Sequence, residues 1–121
     1  MKHCLIVDDS NSIRKVASRI FSDLSLRTSE AETATEALDV CRSAMPDCIV
    51  VDWQIPNVDS VGLVAELRNM PGGDKPAILY LTSTNDPAEI DRAMQSGASG
   101  YMLKPFDSES TSRALAMAGV I

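Results

Sequence analysis

Cys48-Ile49-Val50-Val51-Asp52 is apolar at every position until it ends in a carboxylate. A short run without polar alternation fits a strand covered on both faces, as in a parallel sheet flanked by helices. The same design recurs along the chain. Leu5-Ile6-Val7 runs into Asp8-Asp9, Ile78-Leu79-Tyr80-Leu81 into Thr82, and Tyr101-Met102-Leu103 into Lys104. Open α/β sheets bind their ligands in the crevice beyond the carboxyl ends of the strands. Four stretches are therefore predicted to bring three carboxylates, a hydroxyl and an ammonium to one place, a set suited to a divalent cation and a phosphoryl group.

Helical patterns fill the intervals. Ile13, Val16, Ala17, Ile20, Phe21 and Leu24 recur at three- and four-residue steps as one inward stripe, with Ser10 or Asn11 as N-cap. The polar stretch Leu26 to Glu30 reads as an edge strand. The next helix turns Ala34, Ala37, Leu38 and Cys41 inward and closes at Met45-Pro46. Beyond Pro56, Leu63, Leu67 and Met70 mark a third helix, broken by Pro71-Gly72-Gly73. Asp86-Pro87 opens a fourth with Ile90, Ala93 and Met94 inward, stopped by Gly97, and a weakly patterned last helix runs from about Asp107 to Ala118. Strands alternating with helices predict a doubly wound α/β fold, (βα)5 and flavodoxin-like, with helices on both faces of a five-stranded parallel sheet. The polar second strand belongs at an edge, which agrees with the order 2-1-3-4-5. The crevice then opens between strands one and three, where Asp8-Asp9 and Asp52 face each other.

The chain has 121 residues, 45% apolar and 23% charged, which suits one domain over 1–121. No apolar run is long enough for a membrane span or a signal peptide, so a cytoplasmic protein is expected. Cys4, Cys41 and Cys48 lack paired or ligand spacing and read as buried, reduced thiols. A net charge of −6 without clustered Lys or Arg opposes nucleic-acid binding. His3, the single histidine, begins a strand away from the crevice and is not expected to carry a phosphoryl group.

Unit charges about 4 Å apart repel by roughly 4 kcal/mol at an effective dielectric of 20, so the acidic cluster must take up protons or bind a cation. All-oxygen donors favour a hard ion, Mg²⁺ first and Ca²⁺ second. Asp52, alone at its strand end, is the better nucleophile toward phosphorus, whereas Asp8 and Asp9 read as a metal-binding couple. Lys104 and Thr82 would stabilise the oxygens of the transferring group.

Taken together, Leu5 to Ser10, Val50 to Asp59, Leu81-Thr82-Ser83 and Ser96 to Phe106 resemble the receiver domains of bacterial two-component response regulators, of the free-standing CheY-like kind. That protein is itself a standard example of the strand order 2-1-3-4-5. The resemblance implies Asp52 as phosphoacceptor, Asp9, Asp52 and the Gln54 carbonyl as direct Mg²⁺ ligands, and Asp8 as a ligand through water. It makes Thr82 and Tyr101 the paired switch residues and Lys104 the phosphoryl-binding lysine, with a cis peptide before Pro105. Gln54 and Thr84 would flank the hydrolytic water and set the phosphoryl lifetime. Two departures bear on loop geometry and phosphoryl access: Ser60 replaces a usual glycine, and Ser83 replaces a common alanine.

The implied donor is a phosphohistidine on a histidine kinase or histidine phosphotransfer protein. The output would be another protein, bound through the fourth helix, fifth strand and fifth helix, since no effector domain follows Ile121. A monomer is expected, with dimerisation when phosphorylated as the alternative, and activity limited to self-phosphorylation from small donors and self-dephosphorylation. Two rival classes are a binding module independent of phosphorylation and a haloacid dehalogenase-type phosphatase. The second needs an Asp two residues after its nucleophile, where Gln54 stands.

Overall fold

The computed structural model of the chain describes residues 1–53, 55, 59–83 and 86–121. Five strands, β1 (His3–Val7), β2 (Arg27–Ala31), β3 (Cys48–Asp52), β4 (Ala77–Thr82) and β5 (Gly100–Leu103), alternate with α1 (Asn11–Asp23), α2 (Ala34–Ser43), α3 (Ser60–Asn69), α4 (Pro87–Ser96) and α5 (Ser108–Met117). All strand pairs are parallel, in the order β2-β1-β3-β4-β5. β1 and β3 are buried along their whole length, while β2 is largely open at one edge. The apolar and polar runs of the sequence thus sort central strands from the edge.

Strand alternation divides the core in two. Leu5, Val7, Ile49, Val51, Ile78 and Tyr80 face Ala37, Leu63 and Leu67 on one side of the sheet. Cys4, Ile6, Cys48, Val50, Leu79 and Leu81 face Ala17, Phe21 and Leu115 on the other. All three cysteines are free and buried. His3 opens β1 at the end remote from the crevice, its Nε2 2.6 Å from Ser29 Oγ. Among the described residues, no helix is long and apolar enough to cross a membrane.

Each helix starts with a side chain that satisfies an open N–H: Ser10, Thr33, Asp59, Asp86 and Asp107. Two side chains expected inward are turned outward, Val16 at 49% and Met94 at 41% exposure. α1 meets the sheet through the narrower stripe Ala17, Ile20 and Phe21. α4 is seated by Ala93, and Met94 lies at the rim of a groove with Leu103 and Met117, where the sheet ends at β5.

The far end of α4 is fastened. The Arg68 guanidinium of α3 donates to the carbonyls of Gly97 (2.8 Å), Gly73 (3.0 Å) and Pro76 (2.6 Å) and to Ser99 Oγ (3.1 Å). Gly97 caps α4 at φ 121°, and a Cβ there would lie 2.8 Å from Arg68 Cγ. Gly97→Ala is expected to cost about 1–3 kcal/mol, read by calorimetry as a fall of several degrees in Tm. An unchanged Tm would show that neither the backbone angle nor Arg68 constrains this position.

Among the described residues, Tyr80 is the largest fully buried side chain, and its hydroxyl finds no hydrogen-bond partner. Burial pushes its pKa up to about 12, with the Ser60 hydroxyl pulling weakly the other way. An unfolded tyrosine ionises near 10, so between roughly pH 10 and 12 the unfolded chain gives up a proton that the folded chain keeps. Stability therefore falls as pH rises through this window. Urea midpoints at pH 9 and 11 should differ more in the wild type than in Tyr80→Phe; equal declines would assign the loss to other groups.

Candidate functional site

β1 and β3 set the acidic centre. Val7 pairs with Val51, so the residues that follow, Asp8 and Asp52, emerge side by side from the middle of the sheet. Asp8 and Asp52 are buried and Asp9 is exposed, and one carboxylate oxygen from each lies within 4.8 Å of the others. The Asp8 backbone is fixed by its N–H to the Ala31 carbonyl, and its Oδ1 accepts the Ser10 N–H at 2.8 Å. Its Oδ2 is buried without a hydrogen bond among the described residues and faces the Lys104 ammonium at 3.4 Å.

Lys104 reaches this centre from the last strand. Its N–H continues the ladder to the Thr82 carbonyl at 2.8 Å, and its Nζ donates to Asp52 Oδ1 at 2.8 Å. The peptide bond to Pro105 is cis. Burial alone would lower the lysine pKa, but the hydrogen bond and charge of Asp52, reinforced by Asp8, outweigh it and hold the ammonium above its ordinary value. Thr82 is buried at the end of β4, the strand that pairs with β3. Asp8, Asp9, Asp52 and Lys104 therefore meet at one crevice, with Thr82 ending the neighbouring strand. Gln54 and Thr84, expected to flank it, lie outside the described residues.

Tyr101 stands exposed on β5. Between it and Thr82 lies a cavity of about 10 Å³ lined also by Trp53, Tyr80, Ile90 and Ala93, enough for about one water. Trp53 is both rim and packing. It follows Asp52 directly, yet its ring meets Tyr80 at 5.4 Å between centroids and 51° between planes.

Sequence reasoning missed two supports. The Ser60 hydroxyl is shared between the carbonyls of Asp52 (2.9 Å) and Trp53 (2.7 Å), so the serine that replaces a usual glycine clasps the segment after Asp52. Arg14 donates to the Asp8 carbonyl at 2.7 Å. Neither was legible, because both act on backbone oxygens, which leave no pattern in side-chain identity. Ser83 is exposed beside Thr82.

Comparison with known proteins agrees with this geometry. A family model described as the response regulator receiver domain matches residues 4–116. The chain is 31% identical over 106 residues to "Chemotaxis protein CheY" of Pseudomonas aeruginosa, covering 87% of this chain and 86% of that protein. It is 35% identical over 102 residues to "Probable transcriptional regulator ycf27" of Guillardia theta, covering 84% of this chain but 39% of that longer protein. The solved structure of chemotaxis response regulator CheY4 of Vibrio cholerae superposes with a TM-score of 0.90 at 31% identity, covering 98% of each chain. The chain belongs to the response regulator receiver domain family and is a signalling domain of two-component systems rather than a classical enzyme.

Proposed function

We propose that Asp52 accepts a phosphoryl group from a phosphohistidine on a histidine kinase or phosphotransfer protein, in the presence of Mg²⁺, and that the modified chain presents an altered surface to a downstream protein. The observation that carries this reading is the 2.8 Å contact of the Lys104 ammonium with Asp52 inside an all-carboxylate cluster. In this reading residues 1–121 form one receiver domain that works in the cytoplasm as a monomer, or as a dimer once phosphorylated.

The donor set fits magnesium. It is all oxygen, the three carboxylates include two paired with the one ammonium of Lys104, and among the described residues Asp8 Oδ2 is a buried acceptor without a hydrogen bond. Asp9 and Asp52, with the Gln54 carbonyl, would hold the ion directly and Asp8 through water. When bound, the ion supplies positive charge to the oxygens of the transferring group. The remaining chemistry belongs to the chain. A carboxylate oxygen of Asp52 attacks phosphorus as the P–N bond breaks, and the imidazole nitrogen keeps the electron pair and takes up a proton. Lys104 donates to the developing charge, and the Thr82 hydroxyl supplies a second donor. Hydrolysis reverses the modification when a water attacks in line, with Gln54 and Thr84 tuning its approach.

The output surface in this reading is formed by α4, β5 and α5. Met94, Tyr101, Leu103 and Met117 are exposed there around one groove, and clustered exposed apolar side chains mark protein-binding faces. Thr82 drawn toward the phosphoryl group, with Tyr101 turning inward, would link the two regions.

Two measurements test the reading. Mg²⁺ titration should change Trp53 fluorescence, and metal at about a hundredfold over its Kd should stabilise the fold by roughly 2.7 kcal/mol. Both effects should vanish in Asp9→Ala, and an undiminished response there would place the ion elsewhere. Acetyl phosphate with Mg²⁺ should form one acid-stable, base-labile acyl phosphate that Asp52→Asn abolishes. Label retained in that variant would sink the assignment of the phosphoacceptor.

A further inference from the structure

The turn that presents Asp8 and Asp9 is gripped by a side chain outside the acidic cluster. Arg14, one turn into α1, is largely buried and spends its planar fork on three acceptors at once: the Asp8 carbonyl at 2.7 Å, Glu30 Oε1 at 3.1 Å and Asn11 Oδ1 at 3.2 Å. Glu30 belongs to the edge strand β2, and its second oxygen takes Lys15 Nζ at 2.9 Å. The Lys15 bond, with Arg14 behind it, holds the Glu30 carboxyl below its ordinary pKa. The edge strand is therefore bound through a fixed fork to the backbone of the acidic pair.

We propose that Arg14 is a positioning residue for metal binding. With Glu30 fixing its plane, it holds the Asp8 carbonyl, and through it the turn from which the Asp8 and Asp9 carboxylates project. This inference rests on the proposed function, since it concerns the cation that those carboxylates would hold. The guanidinium touches no reacting group. Its effect runs through the main chain, because Asp8 is fully buried and truncation of Arg14 withdraws the donor from a buried carbonyl. Lysine cannot take its place. An ammonium is a point charge without the rigid fork that spans Glu30 and Asp8 together.

Two physical roles for Arg14 predict opposite signs. Were it only a nearby positive charge, its removal would relieve repulsion of the dication and tighten binding. As a positioning residue, its removal lets the turn relax and weakens binding, by about tenfold or more, as for other side chains that orient metal ligands.

The test is Mg²⁺ affinity by Trp53 fluorescence in wild type, Arg14→Ala, Arg14→Lys and Glu30→Gln, with circular dichroism as the check of folding and Asp9→Ala as the reference for a lost site. Arg14→Ala and Arg14→Lys should both weaken binding about tenfold, despite their different charge. Glu30→Gln, whose amide oxygen still accepts from Nε, should stay within about twofold of wild type. Should Arg14→Ala fail to fold, Arg14→Lys against Glu30→Gln carries the comparison. Unchanged or tighter binding in folded Arg14→Ala or Arg14→Lys overturns the inference while leaving the proposed function intact. A wild type indistinguishable from Asp9→Ala overturns both.

Discussion

Like-charge repulsion at the centre of the sheet is the constraint on which the rest of the structure depends. The register of β1 against β3 puts Asp8 and Asp52 next to each other whatever the surroundings do, and Asp9 completes a group within 4.8 Å. At such separations each pair costs several kcal/mol at an effective dielectric of 20. The chain answers with a cation from its last strand. β5 lies beyond β4, yet the Lys104 side chain returns across that strand to meet both Asp52 and Asp8. A short edge strand with two of its four residues exposed is thereby tied to the most buried part of the sheet.

The architecture was legible in the sequence because it rests on patterns that side chains display. Continuous apolar runs named the central strands, the polar Arg27 to Glu30 named the edge, and Asp86-Pro87 with Gly97 bracketed α4. The strand-end rule gathered Asp8, Asp9, Asp52, Thr82 and Lys104 without any knowledge of their neighbours. Reading failed where a helix stripe is wider in sequence than the surface it covers. Val16 and Met94 fit a three- and four-residue period, but α1 and α4 meet the sheet through the narrower sets Ala17, Ile20, Phe21 and Ala93. Reading also failed where a side chain serves the main chain. The roles of Ser60, Arg14 and Arg68 depend on which carbonyl lies within reach, a tertiary fact that periodicity does not carry. The Tyr80 hydroxyl, without a partner among the described residues, belongs to the same class, since nothing in an apolar strand shows where a phenol will find its acceptor.

The fastening at Gly97 has a mechanical consequence. Arg68 ties that carbonyl to α3, and its own guanidinium is held by the Gly73 and Pro76 carbonyls and Ser99, so the carboxyl end of α4 cannot translate without breaking the Gly97 bond. The amino end, which follows Thr82, is closed by its own cap at Asp86. A shift of the amino end alone would turn α4 as a lever about its distal end. Ten residues span about 15 Å, so a tilt of about ten degrees carries Pro87 and Ala88 through roughly 2.6 Å on that length while leaving Ser96 nearly still. Such a lever grades the surface it moves, with the largest travel near the acidic cluster and almost none beside Arg68.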